Sequence, residues 1–387
     1  MSTLPRQHVM IAIPVLLVGG TELQTITLVS VLTSADYRVT ICCYYQYTDE
    51  MVKRFEAAGA EVLLMKYERA KGLWHLANGL INLFKQLKPD IVHVQYVAPG
   101  FVPVVAARLA GVKTIFATVH QPGRTYGRKA KFLLRSAARM CTAFFCNSRS
   151  VEESWFGNSA RFNPQSVNGS RRHWTVYNAV DTDQISQVVA DTDRQTLRTS
   201  MELGERPVIG CVARLRWEKG QTVLLEAMAE VIKSVPAAVL IMVGDGPDRE
   251  MLIKRAEDLK LDNHVKWLGQ KNPEEVDQLY SIMDVVAVPS LFEGFGLSAA
   301  EAMAAGRPVV ASSVDGLNEI VEQGVTGYLV PANDKSALAT RLTELLCNHS
   351  AARSMGIQGQ KRVKKYFSSD VFAKAICAAY ELYLQAT

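Results

Sequence analysis

In "DVVAVPSLFEGFGLSAAEAMAAGRPVVAS", residues 284–312, an apolar run leads into a glycine-bracketed phenylalanine, then an alanine-rich stretch, then a second apolar run. Short, near-continuous apolar runs are the pattern of parallel strands covered on both faces. Strand, turn, helix and strand within so short a stretch make one βαβ unit. The same alternation occurs twice along the chain. In the first half "VMIAIPVLL", "YRVTICCYY", "AEVLLM", "DIVHVQY", "KTIFATVH" and "TAFFCN" read as strands, with helical stretches at Glu22–Leu32, Asp49–Ala58 and Leu73–Leu87 between them. Around Asp181–Arg206 the pattern lapses into a polar, acidic stretch, read as a linker with one helix. It restarts with "PVIGCVAR", "AAVLIMVGD", "HVKWLG", "DVVAVPS", "PVVAS" and "GYLVP". The expectation is an α/β protein of two Rossmann-like, doubly wound domains, residues 1–180 and 181–367, facing across a cleft where the carboxyl ends of both strand sets bind the ligand.

A chain of 387 residues that is 48% hydrophobic has the material for two such cores. Its seven cysteines are scattered without a C-x-x-C pair, so zinc and redox motifs are absent and a reducing, cytoplasmic setting is expected. The apolar run Val9–Gly20 contains Pro14 and no A-x-A cleavage site, so it reads as a buried first strand rather than a signal peptide. Ile91–Ala107 is interrupted by His93, Gln95, Pro99-Gly100 and Pro103, which argues against a membrane span. The net charge of +5 is unevenly divided: residues 1–180 hold 21 Lys+Arg and 10 Asp+Glu, a net +11, and the remainder holds 22 and 28, a net −6. The first half is therefore suited to lie near anions.

Glu293 and Glu301 invite a reading as a catalytic carboxylate pair. Eight helical residues rise about 12 Å, whereas glycosidase carboxyls stand about 5–5.5 Å or about 6.5–9.5 Å apart. The two glutamates are therefore expected to touch different parts of one long ligand. The glycines indicate what that ligand carries. Gly294 and Gly296 let backbone approach closely, and a helix beginning near Leu297 offers unpaired N–H groups, so Phe295, Gly296 and Leu297 form a backbone anion site suited to a diphosphate. Gly19 and Gly20, after the first strand and opening the first helix, are either a second such element or a tight turn. In "VARLRWEKG" a strand ends at Arg214 with Lys219 five residues on, a spacing that lets both cations reach one diphosphate or leaves both solvated. Gly244, in the "VGDGPDRE" loop, is either a structural turn or a ligand contact.

These residues carry a family resemblance. Glu293-Gly-Phe-Gly-Leu followed by Glu301-Ala-Met-Ala-Ala-Gly-Arg-Pro-Val-Val resembles the E-x7-E signature of the retaining GT-B glycosyltransferases of family 4. The group's pattern continues, in order, through Gly19-Gly20-Thr-Glu, Pro89-Asp-Ile-Val-His93, Asn178-Ala-Val-Asp181, Arg214 with Lys219-Gly220, Gly244-Asp-Gly-Pro247 and Gly324-Val-Thr-Gly-Tyr-Leu-Val-Pro331. The resemblance implies a GT-B fold, an acceptor domain followed by a donor domain, and a last helix, 368–387, that packs back on the first. It also implies that a nucleoside-diphosphate sugar, UDP- or GDP-linked, is the donor: Glu301 would bind its ribose, Glu293 the hydroxyls of the transferred sugar, and Arg214 and Lys219 the diphosphate. His120, at the end of "TIFATVH", resembles the family's histidine near the sugar, with a core or capping histidine as the alternative; His93 is read as structural. With two cations already facing the diphosphate, no metal and no cofactor is expected. An epimerase or phosphorylase of the same fold, or a non-catalytic nucleotide-sugar-binding protein, would reuse the same cleft. The joint presence of Glu293, Glu301, Arg214, Lys219 and His120 favours the transferase.

The acceptor is less legible. From Ile91 to Val151 there are nine basic residues and no acidic one. Arg124, Arg128, Lys131, Arg135 and Arg139 fall within one ~80° sector of a helix, opposite Leu133, Ala137, Met140 and Phe144. Such a stripe is a solvated face, a contact with an anionic membrane at its inner, cytoplasmic surface, or the seat of a phosphorylated lipid-linked or glycan acceptor. Nucleic acid is not expected, because no aromatic platforms are interleaved with the charges. The polar stretch Trp155–Trp174 reads as an insertion loop.

Overall fold

A computed structural model describes residues 6–96, 101–167 and 171–385. The chain divides into two units, Met1–Ala179 with Asp370–Thr387, and Val180–Ser369. The first unit runs β1 (His8–Leu16), α1 (Gly20–Ser34), β2 (Arg38–Tyr47), α2 (Asp49–Ala57), β3 (Glu61–Leu64), α3 (Gly72–Leu87), β4 (Ile91–Tyr96), α4 (Phe101–Leu109), β5 (Thr114–Val119), α5 (Arg128–Met140), β6 (Ala143–Cys146), α6 (Arg149–Phe156) and β7 (His173–Thr175). Its strands pair in parallel in the order β3-β2-β1-β4-β5-β6-β7.

The second unit runs α7 (Thr182–Asp191), α8 (Arg194–Ser200), β8 (Val208–Val212), α9 (Gln221–Ser234), β9 (Val239–Val243), α10 (Arg249–Asp258), β10 (Val265–Gly269), α11 (Pro273–Tyr280), β11 (Val285–Val288), α12 (Leu297–Ala304), β12 (Val309–Ser312), α13 (Leu317–Ile320), β13 (Gly327–Val330), α14 (Lys335–Cys347) and α15 (His349–Tyr366). Its sheet is ordered β10-β9-β8-β11-β12-β13, again parallel. The last helix, α16 (Ser369–Gln385), contributes Phe372, Ile376, Ala379 and Tyr380 to the core of the first unit.

Alternate residues of one strand explain why the runs lack polar alternation. In β1, Val9, Ile11 and Ile13 pack with α1, α2 and α16, while Met10 and Ala12 pack with α3, α4 and α5. A parallel strand with helices on both faces must be apolar on both. The register of β1 against β2 shifts between Ile13 and Val15, around Pro14, whose ring nitrogen has no hydrogen to give the ladder. Among the described residues no helix is long and apolar enough to cross a membrane.

Three sequence expectations are corrected. The supposed linker 181–206 is mostly two helices of the second unit, each started by an aspartate: Asp181 accepts from Gln184 N and Asp193 from the N–H groups of Gln195 and Thr196. Polarity there reflects capping and a buried Arg198 that donates to three backbone carbonyls, of Gly204, Ile282 and Arg206. The stretch 155–174 is not a plain insertion: Trp155 is fully buried at the end of α6, and β7 adds an edge strand. The five-cation helix face loses one member, because Arg124 lies in a separate single turn and α5 begins only after Gly127. The buried side of α5 is Leu134, Ala137 and Ala138, and Phe144 belongs to β6.

Behind β7 lies a charged core. Glu152, with no exposed surface, accepts from Arg171 Nη2 at 2.7 Å, His173 Nδ1 at 2.6 Å, Thr175 Oγ1 at 2.5 Å and Ala160 N at 3.1 Å. Burial alone would raise its pKa, but these donors together hold it below the ordinary carboxylate value. Replacing Glu152 with Ala leaves Arg171 and His173 facing a vacated site, and a loss of about 3–5 kcal/mol in urea unfolding at pH 7 is expected. Because the folded pKa is depressed, this contribution is full above the unfolded carboxylate pKa and fades as pH falls through the folded one. The gap in stability between parent and variant should therefore narrow on acidification below about pH 4.5.

Candidate functional site

Strand order in the second unit reverses at β8: β9 lies on one side and β11 on the other. The loops that follow β8 and β11 consequently leave the sheet side by side, which is where doubly wound sheets bind ligands. Here they are stitched together. Leu291 N donates to Glu218 O at 2.8 Å, and Gly220, at φ 69°, sits so close to the β11 loop that a Cβ there would lie 2.0 Å from Pro289 O. This approach brings Lys219 and Glu293, 74 positions apart in sequence, to a 2.6 Å contact between Nζ and Oε2. Ser290 Oγ lies 3.3 Å from the same carboxylate oxygen, and Glu293 N donates to Asp315 Oδ2 at 3.3 Å.

Arg214 is exposed; its carbonyl accepts from the buried Gln221 side chain at 2.9 Å, and its guanidinium has no partner among the described residues. Leu215 N donates to Asp245 O, which ties this loop to the one after β9, where Gly244 N donates to Gly269 O. Gly296, at φ 107°, forms the N-cap of α12, and a Cβ there would lie 2.6 Å from Leu317 Cδ2. Phe295 is buried beside it and meets Phe367 edge-on at 5.5 Å. The helix then starts at Leu297 with no acidic residue in its first turn; the N–H groups of Ala299 and Ala300 turn back to Gly296 O, and those of Leu297 and Ser298 have no partner among the described residues.

Glu301 and Glu293 have separate partners. Glu301 Oε2 lies 3.1 Å from the hydroxyl of Tyr280, a fully buried side chain on α11. Glu301 keeps some exposed surface, yet packing desolvates its carboxyl and pushes its pKa up, against the hydrogen bond from Tyr280. Asp277, one turn before Tyr280, is buried, and burial followed by the nearby Glu301, Asp181 and Glu274 carboxylates pushes its pKa up to about 7.

In the first unit, Gly19 is the extended N-cap of α1, which starts at Gly20. The Glu22 carboxylate lies against Gly19, 2.6 Å from where a Cβ would be, so this helix start already carries an acidic group of its own. His120 follows β5. Its Nε2 lies 2.8 Å from Gln95 Oε1, its carbonyl accepts from Asn147 Nδ2 at 3.1 Å, and burial pushes its pKa down to about 4, so the ring is neutral at pH 7. His93 is saturated inside the sheet, with Nδ1 2.6 Å from Tyr380 Oη and Nε2 2.7 Å from Thr118 Oγ1.

Two Asp-x-Asp triplets, 181–183 and 191–193, could present carboxylates to a divalent ion. Their side chains are otherwise engaged: Asp181 and Asp193 cap helices, Asp183 pairs with Lys364 and Asp191 accepts from Gln187. Among the described residues no group of three or more His, Cys, Asp or Glu side chains is arranged to hold a metal ion.

Residues 193–362 match the family described as Glycosyl transferases group 1, and residues 18–184 the family described as Glycosyltransferase Family 4. A GDP-mannose-dependent alpha-(1-6)-phosphatidylinositol monomannoside mannosyltransferase of Mycobacterium tuberculosis is 31% identical over 281 residues, 69% of each chain. This chain belongs to the group 1 glycosyltransferases. A D-inositol 3-phosphate glycosyltransferase of Corynebacterium jeikeium is 38% identical over 207 residues, 51% of this chain and 49% of its own. The Anabaena protein HepE, crystallised with UDP and glucose, matches the transferase at a TM-score of 0.83 and 20% identity, over 97% of this chain and 100% of its own. WaaG, a glycosyltransferase involved in lipopolysaccharide biosynthesis, matches at 0.73 and 16%, over 95% and 98%. At those identities the likeness is one of fold, the GT-B fold of two Rossmann-like domains.

Tyr280, Asp277, Gln95 and Asn147, the neighbours of Glu301 and His120, were not singled out by sequence reasoning. The buried Asp277 has a measurable consequence. Its folded pKa of about 7 stands above the ordinary 3.8, so the folded state holds its proton longer than the unfolded chain does. Stability conferred by that proton is present at low pH and is lost as pH rises to the folded value. Asp277→Asn should accordingly raise stability by up to about 4 kcal/mol above pH 7, from three pKa units at about 1.4 kcal/mol each. The gain should shrink to nothing near pH 4, as read by thermal melts across that range.

Proposed function

We propose that the transferase moves a hexosyl group, with retained anomeric configuration and without a metal ion, from a UDP- or GDP-linked sugar to a hydroxyl of a glycan or lipid-linked acceptor. The observation that carries this reading is the cationic and amide-lined end of β8 and β11: Lys219 paired to Glu293, an unpaired Arg214, and the α12 N-terminus after Gly296. In the reaction the bond from C1 of the sugar to the diphosphate oxygen breaks, and its electron pair stays on the diphosphate. The acceptor oxygen bonds to C1, and its proton passes to the departing phosphate. Arg214, Lys219 and the α12 amides stabilise the charge as it develops, a task that a metal would otherwise share. Glu293 then serves the sugar hydroxyls and Glu301 the ribose, while His120 is a sugar contact belonging to the first unit.

One relative is named as GDP-mannose-dependent and one fold neighbour was crystallised with UDP and glucose, so both nucleotides belong in the test. Nucleotide sugars are screened for thermal stabilisation, since a ligand of the native state raises its melting temperature, and the stabilising donor is used for transfer after exhaustive chelation. Turnover should persist without divalent ions and fall roughly 10²–10³-fold in Arg214→Ala or Lys219→Ala, as loss of a transition-state donor does. A restorable requirement for magnesium or manganese, or unchanged turnover in both variants, would refute the proposal.

A specific observation also favours an anionic membrane as the place of action. Helices α3, α4 and α5 pack side by side over one face of the sheet. Trp74 and Leu73 on α3 are exposed by 83% and 56%, and Phe132 is exposed by 68% on α5, the helix that also carries the exposed Arg128 and Lys129 and the half-buried Lys131. Each such cation near an anionic lipid surface is worth about 1 kcal/mol, decaying over about 8 Å at physiological salt. Arg135 donates to Trp155 O and is left intact. Changing Arg128, Lys129 and Lys131 together to Ser should sharply reduce salt-sensitive binding to phosphatidylserine vesicles. Equal vesicle binding by parent and triple variant would leave the stripe as a solvated face.

A further inference from the structure

The carboxyl ends of β4, β5 and β6 bring together three polar side chains with an incomplete set of hydrogen bonds. Gln95 is opposite Thr118 in the β4–β5 register, so His120, two residues on from Thr118, stands on the same face one step beyond it. Gln95 is 2% exposed, and its Oε1 lies 2.8 Å from His120 Nε2. A carbonyl oxygen accepts, so the ring nitrogen facing it carries the hydrogen. Nδ1 of His120 is then a bare lone pair, and it is buried with no partner among the described residues.

Asn147 repeats the situation one strand away. It is 2% exposed, and its orientation is forced, because the backbone oxygen of His120, 3.1 Å away, accepts only from the amide nitrogen. Its Oδ1 is therefore fixed as an acceptor, and it too is buried without a partner among the described residues. Most buried polar atoms in folded proteins are paired, and exceptions call for a ligand, a water or a functional reason. His93, a neighbour on the same sheet, has no such vacancy.

We propose that Gln95 and Asn147 complete a hydroxyl-binding site around His120: Gln95 holds the ring with its hydrogen on Nε2, and His120 Nδ1 and Asn147 Oδ1 accept hydrogens from a polyhydroxylated ring, a sugar or a cyclitol. Gln95 is a positioning residue, acting through the imidazole, and Asn147 touches the ligand. The site takes neutral hydroxyl donors, since it offers two acceptors and no charge. The inference rests on the reading of this protein as a hexosyltransferase, whose donor and acceptors are rich in such hydroxyls.

The test uses the full chain with 15N-labelled histidine, the His120 resonances being assigned by their loss in His120→Gln. Two-bond couplings should show His120 in the free protein as the Nε2–H form. Gln95→Leu should populate the opposite form, and Gln95→Glu, which keeps the acceptor, should restore Nε2–H. Titration with mannose, glucose and myo-inositol should shift the bare Nδ1 for at least one of them, and that shift should be lost in Asn147→Ala. With a donor in hand, Gln95→Leu and Asn147→Ala should each lower kcat/KM about tenfold or more, the effect of one hydrogen bond, while calorimetric binding of UDP or GDP stays at the parent value. A hydrogen on Nδ1 in the free protein overturns the proposal, as does an Nδ1 signal indifferent to all three rings and to the nucleotide sugar, which would mean an ordered water only. An Nδ1 response to a ring in a chain that binds and transfers no nucleotide sugar would keep the site and sink the transferase reading. Should Asn147→Ala fail to fold, the Gln95 pair and the tautomer measurement still decide.

Discussion

A parallel strand reaches its neighbour only through a right-handed crossover, and where the winding reverses direction two adjacent strands send their helices to opposite faces. In the second unit that reversal separates β8 from β11 and leaves their two exit loops with nothing between them. Everything assigned to the diphosphate hangs on this pair of loops. The Leu291–Glu218 backbone bond and the glycine at 220 close the gap, and only then does a lysine from one loop meet a glutamate from the other. A side chain at 220 would drive the loops apart and separate the pair without touching either charged residue.

Charge is arranged unevenly around those loops. Lys219 and Glu293 neutralise one another where both are partly shielded, whereas Arg214 stands exposed without a protein counter-ion. An anion arriving there gains the arginine and the α12 amides without first breaking a bond to Arg214. Further along α11 and α12 the logic is opposite: Glu301 and Asp277 are acidic groups whose surroundings favour the protonated form. Groups held against their solvation preference lower stability, and such sites tend to be functional. Tyr280 partly offsets this by presenting its hydroxyl to Glu301.

Twelve of the strands were legible because most lie inside a sheet covered on both faces, which leaves short runs rich in Val, Ile, Leu and Ala. The thirteenth, β7, was not: it is three residues at a sheet edge, with His173 turned to the Glu152 network, and its polarity looked like a loop. The helices at 182–200 were hidden for a related reason, since the aspartates that begin them gave the stretch its linker-like acidity. Within the site, the glutamates, the glycines and the two cations of the second unit stood out through local spacing. Tyr280, Gln95 and Asn147 did not, because their partners come from other elements of the sheet layers. A faint signal was present: "DIVHVQY", "KTIFATVH" and "TAFFCN" each end an apolar run on a polar side chain, at the edge where a parallel sheet meets its ligand. In the Asp-x-Asp triplets a spacing that could suit a metal ion serves other ends, since their members cap helices and pair with neighbours.

The two histidines of the first sheet show how such ambiguity is resolved physically. Each lies on a central strand or at its end, and burial depresses the pKa of both, to about 3 for His93 and about 4 for His120, so neither depth nor charge separates them. What separates them is the count of hydrogen bonds against capacity. His93 has both ring nitrogens engaged, one of them by Tyr380 from the last helix, and its ring packs against Phe116 and Phe145; it fastens α16 to the sheet. His120 has one nitrogen engaged and one unengaged, beside an asparagine in the same condition. A folded chain has no reason to bury two unmet acceptors next to each other for stability alone, since each forgoes the hydrogen bond it would have kept in water. Their adjacency at the carboxyl edge of the sheet is what a hydroxyl-bearing ligand would need.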